Sequence, residues 1–179
     1  MKMSEWRLGR SETGTGPTQA LRRPYMGAGV LGLVAFFVNL AAAPLSGIAN
    51  WAGLVLEVLA AALAAWVGFA ARRAGAKPAW QGAAVVFIYA IPSGLGTLLN
   101  PVTYQDELRF LMARDQVLAH SILRLTRSQI VRDAHLYTTG TAHAEAFVGG
   151  IVYRVAFGLV LGWIGSLFYI GRAVRASDG

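Results

Sequence analysis

Glu57 stands inside a long apolar stretch, Asn50 to Ala71, among Leu, Val, Ala, Trp and Gly residues. A carboxylate there can hold a proton, a cation or an arginine, and it must face protein or water rather than hydrocarbon. The opposite ion occurs in the last apolar stretch, Ala146 to Gly171, as Arg154. Arg154 lies on a stripe of small residues spaced by four: Gly150, Arg154, Gly158, Gly162 and Ser166. The second stretch carries a similar stripe around its acid, Gly53, Glu57, Ala60, Ala61, Ala64 and Gly68. Small residues at this spacing let helices approach closely in lipid, where no hydrophobic force joins them. Glu57 lies about 10 Å in from Asn50, and Arg154 about 12 Å in from Ala146, at 1.5 Å per helical residue. The two ions therefore sit at similar depth from one side and are expected to pair. Asn39, Ser93, Thr97 and Asn100 fall in the same half and form a candidate polar cluster.

Two uses of such a pair compete. As a lock, it fixes which faces of the second and fourth spans meet, with little net gain in stability. As a working site, it lines a polar cavity that binds a small ligand or relays protons through Glu57. Other chemistry is absent from the sequence. Gly14-Thr15-Gly16-Pro17 lacks the lysine and the helix of a phosphate loop, and no Gly-x-Ser-x-Gly elbow exists to make Ser93 or Ser166 a nucleophile. His120, His135 and His143 match no metal-binding spacing and read as surface histidines. The chain has no cysteine. No metal, cofactor or catalytic residue is expected.

The elements that must hold the pair are transmembrane helices. Of 179 residues, 55% are hydrophobic and only 14% charged, against about 25% charged in ordinary soluble domains. The net charge of +7 is distributed at the ends of apolar stretches, where it anchors helices rather than binding nucleic acid. The expected fold is all-α, an integral membrane four-helix bundle with an amphipathic extracytoplasmic segment. Residues 1-24 read as a flexible basic cytoplasmic tail. Spans 1 to 3 occupy 25-101, the amphipathic segment 102-145, span 4 146-171 and a short tail 172-179. Ala41-Ala42-Ala43 has the form of a signal-peptidase site. The long polar leader and Pro44 argue instead for an uncleaved anchor. Pro92 is expected to kink the third span or end it early.

Within 104-133 the residues Tyr104, Leu108, Leu111, Leu118, Ile122 and Leu125 recur at helical spacing. The expectation is one amphipathic helix lying on the membrane, on its own bundle or on a partner. Tyr137 to Thr141 reads as a turn around Gly140. Basic residues cluster in the N-terminal tail, at Arg72, Arg73 and Lys77, and at Arg172 and Arg175, whereas arginines in 102-145 are matched by acids. Both termini are thus expected in the cytoplasm.

The order of elements, with Lys77-Pro78-Ala79-Trp80-Gln81-Gly82 opening the third span, resembles that of small uncharacterised four-span bacterial membrane proteins. The resemblance implies a multi-pass protein of the bacterial inner (cytoplasmic) membrane and carries across no activity or site residues. The functional expectation is a non-enzymatic accessory, assembly or self-associating subunit. Its partners would be the lipid bilayer and a protein or second copy, met through 104-133 and the small-residue stripes. The alternative is a small oligomeric transport or proton-linked protein using Glu57. A lipid-modifying enzyme is the third class, without a catalytic pair to support it.

Overall fold

The computed structural model describes residues 17–117 and 125–177. These residues form six helices and no strand: α1 (Pro17–Ala41), α2 (Gly47–Arg73), α3 (Pro78–Leu99), α4 (Tyr104–Val117), α5 (Arg127–Tyr137) and α6 (Gly140–Ser177). Four are long and apolar enough to cross a membrane: α2, α3, Leu21–Ala41 of α1 and Gly140–Tyr169 of α6. Their outward faces carry Trp51, Trp66, Trp80, Phe37, Trp163 and Phe168, all exposed. So large an apolar surface suits lipid and not water.

The spans run up and down. Among the described residues α2 and α3 touch each other and both flanking spans, while α1 and α6 do not meet. The short connections explain the sharp reversals. After α1, Ser46 caps α2 by accepting the Ala49 N–H at 3.2 Å, and Leu45 takes a positive φ of 59°. After α2, Gly75 takes a φ of 73°, which glycine adopts without a Cβ penalty. The Ala76 N–H then returns to the Ala71 carbonyl at 2.8 Å, satisfying an orphaned end of the helix. Pro78 begins α3 in the first turn, where its missing N–H costs nothing.

Helix α1 starts at Pro17 rather than at Tyr25. Pro17 is itself a good first residue for a helix, and the apolar face extends backward: Leu21 and Pro24 are buried, and Tyr25 packs on the same cluster as Ala28 and Val85. The Tyr25 hydroxyl donates to Gln81 Oε1. The tail up to Gly16 lies outside the described residues. Helix α3 does not end early at Pro92 but continues to Leu99, with Asn100 at its C-terminal cap and Pro101 beyond.

The amphipathic segment is two helices rather than one. Leu111 of α4 packs against Ile130 and Ala134 of α5, with Tyr104, Leu108 and Leu125 around them, giving the hairpin its own small core. The break is held by Thr126, whose hydroxyl accepts the Gln129 N–H while the Gln129 side chain accepts the Thr126 N–H. This reciprocal cap starts a new helix. Asp115 Oδ1 also accepts the Leu125 N–H at 2.9 Å, tying the start of α5 back to α4. Leu118, His120 and Ile122 lie outside the described residues. Among the described elements α4 packs only on α5, and α5 meets the spans only at α6. The hairpin therefore stands beside the bundle rather than within it.

The core between the spans is built on glycine. Gly68 of α2, Gly82 of α3 and Gly162 of α6 meet at one junction where their backbones touch. Ala28, Ala64, Val67, Ala71, Val85 and Val86 bury around it.

Candidate functional site

Arg154 and Glu57 meet between α6 and α2. Arg154 Nε donates to Glu57 Oε1 at 2.7 Å, and its Nη2 lies 2.6 Å from the same oxygen. The Glu57 and Arg154 side chains retain 39% and 31% of their surface, so the pair is packed on one side and open on the other. Their meeting follows from the glycine junction. Gly68 against Gly162 and Gly165 against Ala65 fix where α2 and α6 cross. Helix α3 turns back from α2 at Gly75 and runs opposite to α6, with Gly82 at Gly158 and Gly162 but Gly94 at Phe147, so α2 and α6 lie side by side in the same direction. Each ion then falls on the facing surface nearer the α4–α5 end.

Tyr89 of α3 completes this centre, and sequence reading passed over it. It is 1% exposed, and its hydroxyl interacts with Glu57, Ser93 and Arg154. The available signal was its spacing: Tyr89, Ser93 and Thr97 share one face of α3 at intervals of four.

The polar residues expected beside the pair are mostly used elsewhere. Asn39 Nδ2 donates to the Ser93 carbonyl at 2.9 Å, with the Ser93 hydroxyl at 3.4 Å. Asn100 Nδ2 lies 2.9 Å from the carbonyls of Asn39 and Ala42 and 3.3 Å from that of Leu40. These carbonyls belong to the last turn of α1 and its exit, which lack partners within the helix. Asn39, Ser93 and Asn100 are thus a clasp joining the ends of α1 and α3. Thr97 alone of the four lines the cavity described next, and its hydroxyl also donates to the Ser93 carbonyl at 3.4 Å. Replacing Asn100 by Ala is expected to cost about 1–2 kcal/mol, because the helix-end carbonyls lose their donor. Asn100→Asp should cost more, since it sets a negative charge against a helix C-terminus. Unfolding of the purified protein in mixed micelles measures both.

The open side of the ion pair faces a half-enclosed cavity of about 750 Å³ between α2, α3, α6 and the base of the hairpin. Leu98, Val102, Phe147 and Tyr153 supply apolar and aromatic walls, and Tyr137 of α5 closes one side. Glu107 of α4 and His143 of α6 add polar groups. His143 Nε2 is buried without a hydrogen-bond partner among the described residues, unlike the surface histidine expected; His135 packs edge-on against Tyr104. Among the described residues, no three His, Asp or Glu side chains converge as a metal site would require.

Burial lifts the Glu107 carboxyl above its ordinary 4.5, while Arg114 draws it partly back down. The folded state therefore keeps this proton to higher pH than the unfolded chain does. Stability is expected to fall as pH rises from the ordinary value through the raised one. Glu107→Gln should flatten that slope, which hydrogen exchange of the hairpin across pH 4 to 7 reads directly, about the ordinary glutamate range.

Fold and site together define a helical membrane protein with four candidate spans and an ion pair between two of them. No protein family, curated protein or solved structure matches the chain.

Proposed function

We propose that the chain is a small non-enzymatic accessory or assembly subunit of a membrane, with α4–α5 as the element that meets a protein partner or a second copy. The observation that carries this reading is the independence of the hairpin. It has a core of its own, meets the spans only through α5 and α6 among the described residues, and still exposes Phe110, Met112, Val131 and Leu136. A hairpin that served only to connect α3 to α6 would gain by burying these side chains on the bundle. The clasp of Asn39, Ser93 and Asn100 supports the same view, because those polar groups are spent on joining helices.

The placement that goes with this reading is the bacterial inner (cytoplasmic) membrane. Arg72, Arg73 and Lys77 mark the end of the bundle opposite the hairpin as cytoplasmic, by the distribution of basic residues. Both termini share that side, and the hairpin projects outside. Native purification followed by mass spectrometry tests the proposal. A stoichiometric partner or a discrete oligomer is expected, and it should disappear when residues 104–137 are replaced by a Gly-Ser linker. A partner-free monomer would overturn the reading.

A second reading is favoured by one observation, the cavity that reaches Glu57. In it the protein is a small oligomeric transport or proton-linked device. Flux into liposomes that is lost on Glu57→Gln would support it over the first.

A further inference from the structure

The cavity beside the ion pair has a composition that selects among ligands. Its volume of about 750 Å³ lies within the range of about 300–1,000 Å³ found for small-molecule sites. Most of its wall is apolar, and Leu98 and Tyr153 also stand exposed on the spans. An occupant with an aliphatic tail can therefore reach it from the acyl layer.

The charges on the wall define the rest. Arg154 gives two of its nitrogens to Glu57 Oε1. Its remaining nitrogen, Nη1, lies beside Gly150, where the absent side chain leaves room. That nitrogen can donate to a further acceptor without breaking the pair, since a guanidinium offers five N–H groups. Glu107 contributes a second carboxylate; Arg114 offsets its charge in part from outside the cavity lining, and no ion pair joins the two among the described residues. His143 Nε2 is buried and lacks a hydrogen-bond partner among the described residues. With Glu57 and Arg154 cancelling, the wall carries a formal charge of −1 from Glu107. A plain anion would meet this excess of negative charge. A plain cation would leave the Arg154 donor unused.

We infer that the cavity binds a zwitterionic amphiphile, with an aliphatic tail and an aminophosphate head. The phosphate accepts from Arg154 Nη1, the ammonium donates to Glu107, and His143 Nε2 completes the head-group contacts. The raised affinity of Glu107 for its proton, caused by burial, is the penalty that a bound ammonium relieves. This inference concerns the spans and the base of the hairpin, and it holds whether or not the hairpin docks a partner.

The test uses the full chain in detergent, delipidated and then titrated with phosphatidylethanolamine or phosphatidylglycerol, with bound lipid counted by native mass spectrometry. One phosphatidylethanolamine per chain is expected, with a preference over phosphatidylglycerol of about tenfold, as one charge-assisted hydrogen bond supplies. Glu107→Gln should bring that preference close to unity without unfolding the bundle, and Ala146→Trp should fill the cavity and abolish the stoichiometric lipid. Free phosphoethanolamine should neither bind measurably nor displace the lipid. Equal or tighter binding of phosphatidylglycerol by the unaltered chain would overturn the inference. So would a lipid preference that survives Glu107→Gln, retention that is indifferent to Ala146→Trp, or binding of the free head group as strong as that of the lipid.

Discussion

Replacing Gly165 with Leu is expected to force α2 and α6 apart and to cost about 3 kcal/mol or more. The reason is geometric. A Cβ at Gly165 would collide with the Ala65 carbonyl oxygen and stand 2.7 Å from its carbonyl carbon. Backbone cannot swing aside as a flexible side chain can, so α6 must move bodily. The junction of Gly68, Gly82 and Gly162 would open with it, because α2, α3 and α6 all meet there. The contrast is Gly53→Ala in α2, where an added Cβ meets nothing within 4 Å. There the better helix propensity of Ala should stabilise the protein by about 0.5–1 kcal/mol. Unfolding in mixed micelles, with both variants side by side, separates a packing role from a general intolerance of glycine substitution. Equal stability of Gly165→Leu and the unaltered chain would remove the close approach from the account.

The Gly165 contact also shows where the sequence stopped being legible. The stripe Gly150, Gly158, Gly162 and Ser166 announces a packing face by its spacing, and Gly162 does pack at the junction. Gly165 lies off that stripe, and Gly150 meets only Arg154, while Gly53 on the other stripe meets nothing. Spacing marks a face of one helix but cannot say which partner covers each turn. Gly82 illustrates the same limit. It appeared only as part of the start of the third span, yet it carries the contact between α3 and α6 with Gly158 and Gly162.

Charge was easier to read than polarity. Glu57 and Arg154 are costly to leave alone in an apolar stretch, so each demanded a partner, and depth left one candidate for each. Asn39, Ser93 and Asn100 are cheap to satisfy with nearby backbone, and similar depth alone did not reveal that they clasp α1 to α3. The hairpin was misread as one helix because Leu111 and Leu125 fit a single helical stripe. The Thr126 to Gln129 spacing, a cap signature, was the evidence for a break.

Removing one member of the ion pair should have unequal consequences. Glu57→Gln leaves Arg154 charged with no counter-ion, and a guanidinium cannot shed its proton in a protein. Arg154→Met leaves a carboxylate, which can become neutral by taking up a proton, with Tyr89 still beside it. Glu57→Gln is therefore expected to cost about 2–3 kcal/mol and Arg154→Met about 1 kcal/mol, somewhat below the range for fully buried pairs because this one is open to the cavity. The double variant removes both charges and should cost about 1–2 kcal/mol, giving a coupling on the order of 2 kcal/mol. Two features make coupling of that size reasonable. Nε and Nη2 converge on one oxygen at 2.7 and 2.6 Å, so the loss of either residue breaks both contacts at once. The glycine contacts farther along α2 and α6 hold the helices together in the variants, so the unpaired charge cannot escape by separation of the spans. Unfolding of all four proteins in the same micelles measures the cycle. Strict additivity would mean that the two ions are neighbours without being partners, and the lock between α2 and α6 would then rest on glycine alone.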